Sequence, residues 1–179
     1  LYITEGILDV LDHSAPDPMF GGKLGVDATR RLTGEKDRKG PAVSTAAKQD
    51  VLERAIKEVS ELLTACCTPQ LPTRNRLLLL NFHKDGKATG RQLADKLLNH
   101  PDLAAFSIIV LCDNNIDLKD SSLVLWKAFN NVDPKRDIVK KDARIVVDAT
   151  KKGREDDHHR PWPDDIVMDP EVVERVKRR

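Results

Sequence analysis

The sequence predicts an α/β fold, with a small, mostly parallel sheet of three to four strands flanked by helices and an extended N-terminal tail. Two observations lead to this prediction. Several short runs are apolar on both alternating faces, as expected for strands that helices cover on both sides. Amphipathic helical patterns separate these runs, and strand and helix alternating at this spacing favour parallel pairing through right-handed crossovers.

The N-terminal tail is rich in glycine and proline over residues 1–43, which predicts extended segments and turns. Residues 1–4 fit a short strand, and a charged linker follows at residues 33–41. We expect residues 1–32 to pair with a sheet that this chain lacks. Three alternatives remain open for this segment: disorder, packing across the second domain, and exchange with a neighbouring molecule. A strand that lacks its partner strand can pair with an exposed sheet edge elsewhere.

The first predicted helix begins at Ser44, whose hydroxyl can cap it, and continues to Leu63 with apolar residues three and four apart. Pro69 and Pro72 are expected to end it. Residues 77–82 then form a strand that is apolar on both faces, which predicts burial between helices.

A second helix is predicted from the capping-box spacing of Thr89 and Gln92, and His100-Pro101 closes it. The same patterns predict that strands and helices alternate to the end of the chain. These elements are a strand at 106–112, a helix at 122–131, a strand at 144–147 and a short helix that begins at Pro170.

Composition excludes several classes of protein. Of the 179 residues, 40% are apolar and 33% are charged, which is typical of a globular protein with a real core. A net charge of +1 provides no strong field for nucleic acid or an anionic membrane, and the densest apolar run is too short to span a bilayer. Cys66, Cys67 and Cys112 have no disulfide spacing, so we expect reduced thiols and a cytoplasmic location.

One loop is placed where open α/β sheets usually bind ligands. Asp113-Asn114-Asn115-Ile116-Asp117 follows the carboxyl end of a predicted buried strand, and its oxygen-rich side chains could bind a cation or a nucleotide. It lacks the glycine and the closing glutamate of a calcium loop. A loop that caps backbone donors is the favoured reading.

Further clusters contain residue types used in catalysis or binding. They are Asp156-Asp157-His158-His159, Gly21-Gly22-Lys23-Leu24-Gly25, Asp12-His13-Ser14, Cys66-Cys67 and the isolated Trp162. The first could attract zinc, but adjacent histidines point in different directions and four ligands must converge. The glycine segment could cradle a phosphate, although it lacks P-loop order.

The remaining clusters have plainer readings. Adjacency of an acid, a histidine and a serine is no evidence for a triad, which forms by spatial convergence. The paired cysteines lie at a predicted helix end, where the dipole raises the thiol pKa. The tryptophan, between two prolines, is expected to pack a chain end onto the domain. We therefore assign no catalytic, cofactor-binding or metal-binding residue from the sequence.

One segment occurs twice. Residues 24–31 read Leu-Gly-Val-Asp-Ala-Thr-Arg-Arg, and residues 145–152 read Ile-Val-Val-Asp-Ala-Thr-Lys-Lys. The chain begins at Leu1 rather than Met. We expect a piece of a longer protein, with the end of one unit at residues 1–40 and a compact second unit at residues 41–179.

These motifs resemble the carboxy-terminal region of UbiD-type decarboxylases, the family of the polyprenyl-hydroxybenzoate carboxy-lyases of ubiquinone and menaquinone synthesis. The resemblance covers most of the chain except the linker helix. The first copy contributes Leu-Asp-Val-Leu-Asp-His-Ser-Ala-Pro at 8–16 and Gly-Lys-Leu-Gly-Val-Asp-Ala-Thr at 22–29. The second contributes Val-Asp-Pro-Lys-Arg-Asp at 132–137, Val-Asp-Ala-Thr at 147–150 and Arg-Pro-Trp-Pro at 160–163.

The resemblance implies a parent enzyme that decarboxylates an aromatic acid with prenylated FMN and a divalent metal. In that family the cofactor ligands and a Glu-Arg-Glu set belong to upstream domains, which would be the partners of this chain within a homo-oligomer. The second copy lacks the 8–16 stretch and the Gly-Gly-Lys turn of the first. It therefore resembles a shortened duplicate, which we expect to be structural or regulatory and inactive on its own.

Overall fold

The computed structural model describes residues 1–26, 48–69, 76–165 and 167–178. Seven strands and five helices follow one another in these ranges. The strands are β1 (Tyr2–Ile7), β2 (Phe20–Gly25), β3 (Leu63–Cys67), β4 (Leu77–Phe82), β5 (Ile108–Asp113), β6 (Ile138–Lys141) and β7 (Arg144–Asp148). The helices are α1 (Gln49–Val59), α2 (Gly90–Asn99), α3 (Ser121–Asn130), α4 (Pro134–Asp137) and α5 (Pro170–Lys177).

The main sheet has five strands in the order β3-β4-β5-β7-β6. The three central strands β4, β5 and β7 are parallel, whereas β3 and β6 pair antiparallel at the two edges. The predicted α/β class and the parallel centre are confirmed. Two short antiparallel edge strands extend the sheet beyond the three central strands that the sequence analysis identified.

Both faces of the main sheet are covered. On one face, α1 and α2 pack against β4 and β5 through an apolar cluster that includes Leu52, Ile56, Leu97 and Leu111. On the other face, a second cluster joins Val124 of α3 to the opposite side chains of the same strands. This double coverage explains why β4 is apolar at nearly every position.

The observed ends of the helices agree with some of the ends predicted from local sequence signals and differ from others. Thr89 and Gln92 form the predicted capping box at the start of α2. Helix α1 ends at Val59 instead of reaching Leu63, because the chain turns there into edge strand β3. The predicted cap at Ser44 and the linker at residues 33–41 lie outside the described residues.

The N-terminal segment is a hairpin rather than an extended tail. Strands β1 and β2 pair antiparallel with each other and form a separate two-stranded sheet. Ile3 and Leu24 pack against the second apolar cluster, beside α3. Of the alternatives left open for residues 1–32, the structure therefore shows packing across the chain's own main-sheet domain, for residues 1–26.

Candidate functional site

The carboxyl ends of β4, β5 and β7 meet at one edge of the sheet, which is the usual ligand site in an open α/β fold. Here that edge is rich in buried charge. Asp148 ends β7, and Lys152 lies four residues further along the chain, with a fully buried side chain. The chemistry of this edge therefore depends on what these charges contact.

Lys152 is the centre of the buried network. Its Nζ donates to the backbone carbonyl of Asp148 at 2.9 Å and to that of Thr150. The same nitrogen lies 3.4 Å from a carboxylate oxygen of Asp148 and 3.8 Å from one of Asp137. The lysine is thus held by the Asp-Ala-Thr-Lys-Lys segment itself, which gives this repeated motif a structural role.

The two carboxylates beside Lys152 respond differently to burial. Burial acts to raise the pKa of Asp148, but Lys152, Lys84 and hydrogen bonds from Thr150 outweigh it, so the pKa is lowered. For Asp137, burial outweighs the opposing effects of Lys152 and Arg136, and the pKa is raised. The network therefore holds one firmly ionised acid next to one that is more easily protonated.

Two further ion pairs cover the same edge. Lys84, after β4, binds Asp156 and donates to the carbonyl of Lys151 at 2.9 Å. Lys127 of α3, only 2% exposed, donates to Asp165 at 2.5 Å. The charged groups at the strand ends are therefore used to fasten residues 150–165 onto the sheet.

The loop at residues 113–117 caps backbone groups, as the favoured reading predicted. Both carboxylate oxygens of Asp113 accept from the amide of Lys151, at 3.1 and 3.2 Å. The side-chain amide of Asn81 donates to the carbonyls of Asp113 and Ile116, and Asp117 accepts from Lys119. Burial raises the pKa of Asp113.

The histidine cluster is separated by the fold. His159 is exposed and faces Asp157, whereas His158 is buried and its Nδ1 lies 3.1 Å from the guanidinium of Arg136. Because arginine can only donate, Nδ1 must accept, and the imidazole is neutral with its proton on Nε2. Burial, with Arg136 and Arg160 next in importance, lowers the pKa of His158 to about 4.

A second polar assembly fixes the N-terminal hairpin. The amide of Gly22 donates to the carboxylate of Asp133, the residue that also caps α4. Arg136 donates to the carbonyl of Ser14 at 3.1 Å. Arg160 donates to the carbonyls of Asp12 and Val10, at 2.5 and 2.9 Å.

These contacts bring together the two most specific sequence motifs. Asp133 and Arg136 belong to Val-Asp-Pro-Lys-Arg-Asp, and Arg160 belongs to Arg-Pro-Trp-Pro. Trp162 of the latter lies edge-on to the rings of His13 and His158, with centroids 4.9 and 5.2 Å away. We call Asp133, Arg136, Arg160 and Trp162 the docking surface.

Two other candidate clusters have structural roles in and beside this contact. The glycine segment at 21–25 does not present its Gly22 amide to an anion from solution, because a carboxylate of the protein already occupies it. Asp12 accepts from the amide and the hydroxyl of Ser14, at 3.0 and 2.7 Å, which is a local turn rather than a triad. No local sequence pattern marks the docking contact, because its partners are 111 or more residues apart.

The cysteines are free thiols in the structure. The predicted helix end at Cys66 and Cys67 is wrong, since both lie on edge strand β3. The pKa of Cys66 is raised, as expected, but burial rather than a helix dipole is the main cause. Burial, with Asp113 and Asp148 nearby, raises the pKa of Cys112 to about 12.

The described ranges contain neither a candidate metal cluster nor a candidate membrane-spanning helix. No group of three or more His, Cys, Asp or Glu side chains in residues 1–26, 48–69, 76–165 and 167–178 is placed to hold a metal ion. Within the same ranges, no helix has the length and apolar character needed to cross a bilayer. An open groove of about 630 Å³ lies between the hairpin and α3, lined by residues such as His13, Lys23 and Phe129.

Residues 42–151 match the sequence profile of the domain described as the 3-octaprenyl-4-hydroxybenzoate carboxy-lyase C-terminal domain. An uncharacterised protein of Helicobacter pylori strain J99 is 30% identical over 177 residues, covering 99% of this chain. The chain spans only 27% of that protein's length. An uncharacterised protein of Aquifex aeolicus is 36% identical over 84 residues, covering 38% of this chain and 17% of its own length.

Solved structures share the fold. An evolved dimeric form of the UbiD-class enzyme HmfF from Pelotomaculum thermopropionicum, in complex with prFMN, aligns with a TM-score of 0.54 at 15% identity, covering 70% of this chain and 27% of that one. The closed form of vanillic acid decarboxylase from Sedimentibacter hydroxybenzoicus aligns with a TM-score of 0.52 at 16% identity, covering 71% and 30%. At these identities the likeness is one of fold.

Proposed function

This chain belongs to the 3-octaprenyl-4-hydroxybenzoate carboxy-lyase C-terminal domain family, and we propose that it is a structural, non-catalytic domain of a longer UbiD-type decarboxylase. The parent enzyme would decarboxylate a polyprenyl-hydroxybenzoate or a related aromatic acid in cytoplasmic quinone biosynthesis. Its cofactor would be prenylated FMN, which the HmfF complex binds as prFMN.

One observation supports the structural role above the others. At the sheet edge where a ligand would bind, Lys152, Lys84 and Lys127 are each paired with a carboxylate of this chain. A site prepared for a substrate acid or a flavin phosphate would instead direct cations toward an open cleft. Here the same charges are used for packing.

The residues that might have held the cofactor do not fit it. A flavin phosphate needs free backbone donors or cations, but the Gly22 amide is bound to Asp133. A divalent metal needs converging oxygen ligands, and Asp113 and Asp148 are each engaged, by the Lys151 amide and by Thr150 and Lys152. In the parent these groups would therefore be held by upstream domains.

The exposed side of α3 supports contact with the rest of the parent. Leu125, Trp126 and Phe129 are 57%, 51% and 69% exposed on this one helix. Large apolar side chains grouped on a surface typically mark a protein contact. Since the chain spans 27% of its Helicobacter relative, we propose that the upstream domains and their copies in a homo-oligomer cover this face.

The catalytic part of the proposal is tested by adding prenylated FMN and an aromatic acid to this chain and measuring carbon dioxide. We expect no release, with a complete UbiD-class decarboxylase as the positive control. Turnover by the chain would overthrow the proposal.

The structural part is tested on the longer parent, with and without residues 41–179. We expect light scattering to show a smaller or less stable assembly after removal. An unchanged assembly would count against the role. A thermal-shift panel of Mg²⁺, Ca²⁺ and nucleotides separates this role from a binding module, because a ligand at a hundredfold its Kd stabilises by about 2.7 kcal/mol. We expect no such shift.

A further inference from the structure

Each copy of the repeated segment begins in the second strand of an antiparallel hairpin. In the first copy Gly25 pairs with Tyr2, and in the second Val146 pairs with Val139. Gly25 and Val146 both lie two residues before the aspartate of Asp-Ala-Thr. The N-terminal hairpin β1-β2 is therefore the first-copy counterpart of β6-β7.

The two hairpins differ in length. Beyond these equivalent pairs, β6-β7 continues only to the pair of Lys141 with Arg144, where the chain turns. The N-terminal hairpin continues to the pair of Ile7 with Phe20 and then carries the loop at residues 8–19. It is three residue pairs longer, which is about 10 Å before the loop is counted.

The β6-β7 turn and the docking surface lie at opposite ends of the sheet. Beside the turn, Arg144 donates to the carbonyls of Leu98, Leu103 and Phe106, which precede the amino ends of the central strands. The docking surface borders the other end, since Arg136 is paired with Asp137, which contacts Lys152. Strand β7 separates the two ends by roughly 15 Å.

From this geometry we infer that the docking contact operates between copies of the domain and not within one. A hairpin lengthened at the β6-β7 turn extends away from the docking surface of its own domain. The long hairpin of the first copy instead binds the docking surface of the second. The second copy has the docking surface but no long hairpin. It can therefore bind the hairpin of one other copy, but it has no hairpin that could bind the docking surface of a further copy.

The chemistry of the contact selects this hairpin. A Cβ on Gly22 would lie 2.6 Å from the backbone nitrogen of Lys135 and 3.1 Å from Pro134, so only glycine allows the approach. Arg136 and Arg160 bind backbone carbonyls of the loop, which fixes its path. The fitting partner is therefore a glycine-bearing hairpin with the Leu-Asp-His-Ser-Ala-Pro loop at its tip.

The first experiment measures hydrogen exchange of residues 2–25 in the full chain. Gly22→Ala should speed exchange of the hairpin amides about tenfold or more, because the added Cβ clashes with the backbone of Lys135 and displaces the residue 22 amide from the Asp133 carboxylate. Gly25→Ala is the matched control, since its Cβ would lie an ordinary 3.6 Å from Tyr2. Unchanged exchange in β5 shows that the domain stays folded.

Arg160→Ala attacks the contact from the other side and should also speed hairpin exchange. If neither Gly22→Ala nor Arg160→Ala changes the exchange of residues 2–25, the docking contact is refuted. Hydrogen exchange does not depend on decarboxylation, so this result tests the docking contact separately from the proposed function.

The second experiment separates docking between copies from docking within one. In the Gly22→Ala chain, residues 5–22 with the native glycine are inserted between Lys141 and Arg144. We expect the dimer fraction by light scattering to rise with concentration, relative to the Gly22→Ala chain without the insert. A grafted chain that shows no rise in dimer overturns the inference, whether or not its inserted hairpin is protected from exchange.

Discussion

Replacing Lys152 by methionine should strongly destabilise the domain. The substitution keeps most of the volume of a fully buried side chain but leaves Asp148 and Asp137, whose side chains are 5% and 2% exposed, without their shared cation. It also removes the donor to the carbonyls of Asp148 and Thr150. Breaking a buried ion pair by deleting one partner costs about 3–5 kcal/mol.

The magnitude is measurable by urea unfolding at pH 7, followed by far-UV circular dichroism. With a slope near 2 kcal/mol per molar, a loss of about 4 kcal/mol lowers the midpoint by about 2 M. Lys151→Met is the matched control. That side chain is 38% exposed, and its ion pair with Asp165, 3.5 Å long, should contribute at most about 1 kcal/mol.

The pH dependence gives a second check on Lys152→Met. Lys152 is the largest effect that opposes burial at Asp148, so its loss should raise the folded-state pKa of this carboxyl. A carboxyl whose pKa is raised on folding destabilises the folded state less as pH falls, because protonation removes its buried charge. The difference in the free energy of unfolding between Lys152→Met and the unsubstituted protein should therefore become smaller from pH 7 to pH 5. Equal losses for both lysine variants, or a deficit that widens toward pH 5, would refute the reasoning.

Three further predictions use other parts of the structure. The ring of His158 should stay neutral from pH 8 to pH 5 in an NMR titration, since its pKa is about 4. Because the unfolded histidine protonates near pH 6.5, this residue should reduce stability as pH falls from about 6.5 toward 4, and protonation in the native state near 6.5 would contradict this. Iodoacetamide at pH 8 should label half-buried Cys66 faster than buried Cys112, although burial raises the pKa of both thiols, and Cys112 should react only after unfolding; equal native rates would be inconsistent with the burial of Cys112. Thr89→Ala should cost about 1 kcal/mol by removing the capping box of α2, measured by urea unfolding with exposed Thr4→Ala as control.

Local signals predicted the centre of the fold well. The apolar runs of β4 and β5 and the capping box at Thr89 depend on neighbouring residues, and the structure contains them. Edge strand β3 was missed because Leu63 continues the apolar spacing of α1, so the pattern did not mark the turn after Val59. Strand β6 was missed because its alternation is short and ends in lysines that face solvent.

The polar assemblies were harder to predict, for a physical reason. Asp133 and Gly22 meet only when the whole domain has folded, and no periodicity marks such a pair. The repeat did contain a usable signal. Asp148 and Lys152 are four residues apart in a segment present twice, and the first copy has Asp27 and Arg31 at the same spacing, so the sequence marks an acid and a cation as a candidate pair.

The docked hairpin has a consequence for how the contact responds to dilution. Hairpin and docking surface belong to one polypeptide, joined through residues 27–47, so their encounter is unimolecular. A tether of this kind supplies an effective concentration on the order of millimolar, far above typical cellular amounts of an enzyme. An affinity that would be too weak between separate molecules is therefore sufficient within this chain, and dilution of the protein should leave the hairpin docked.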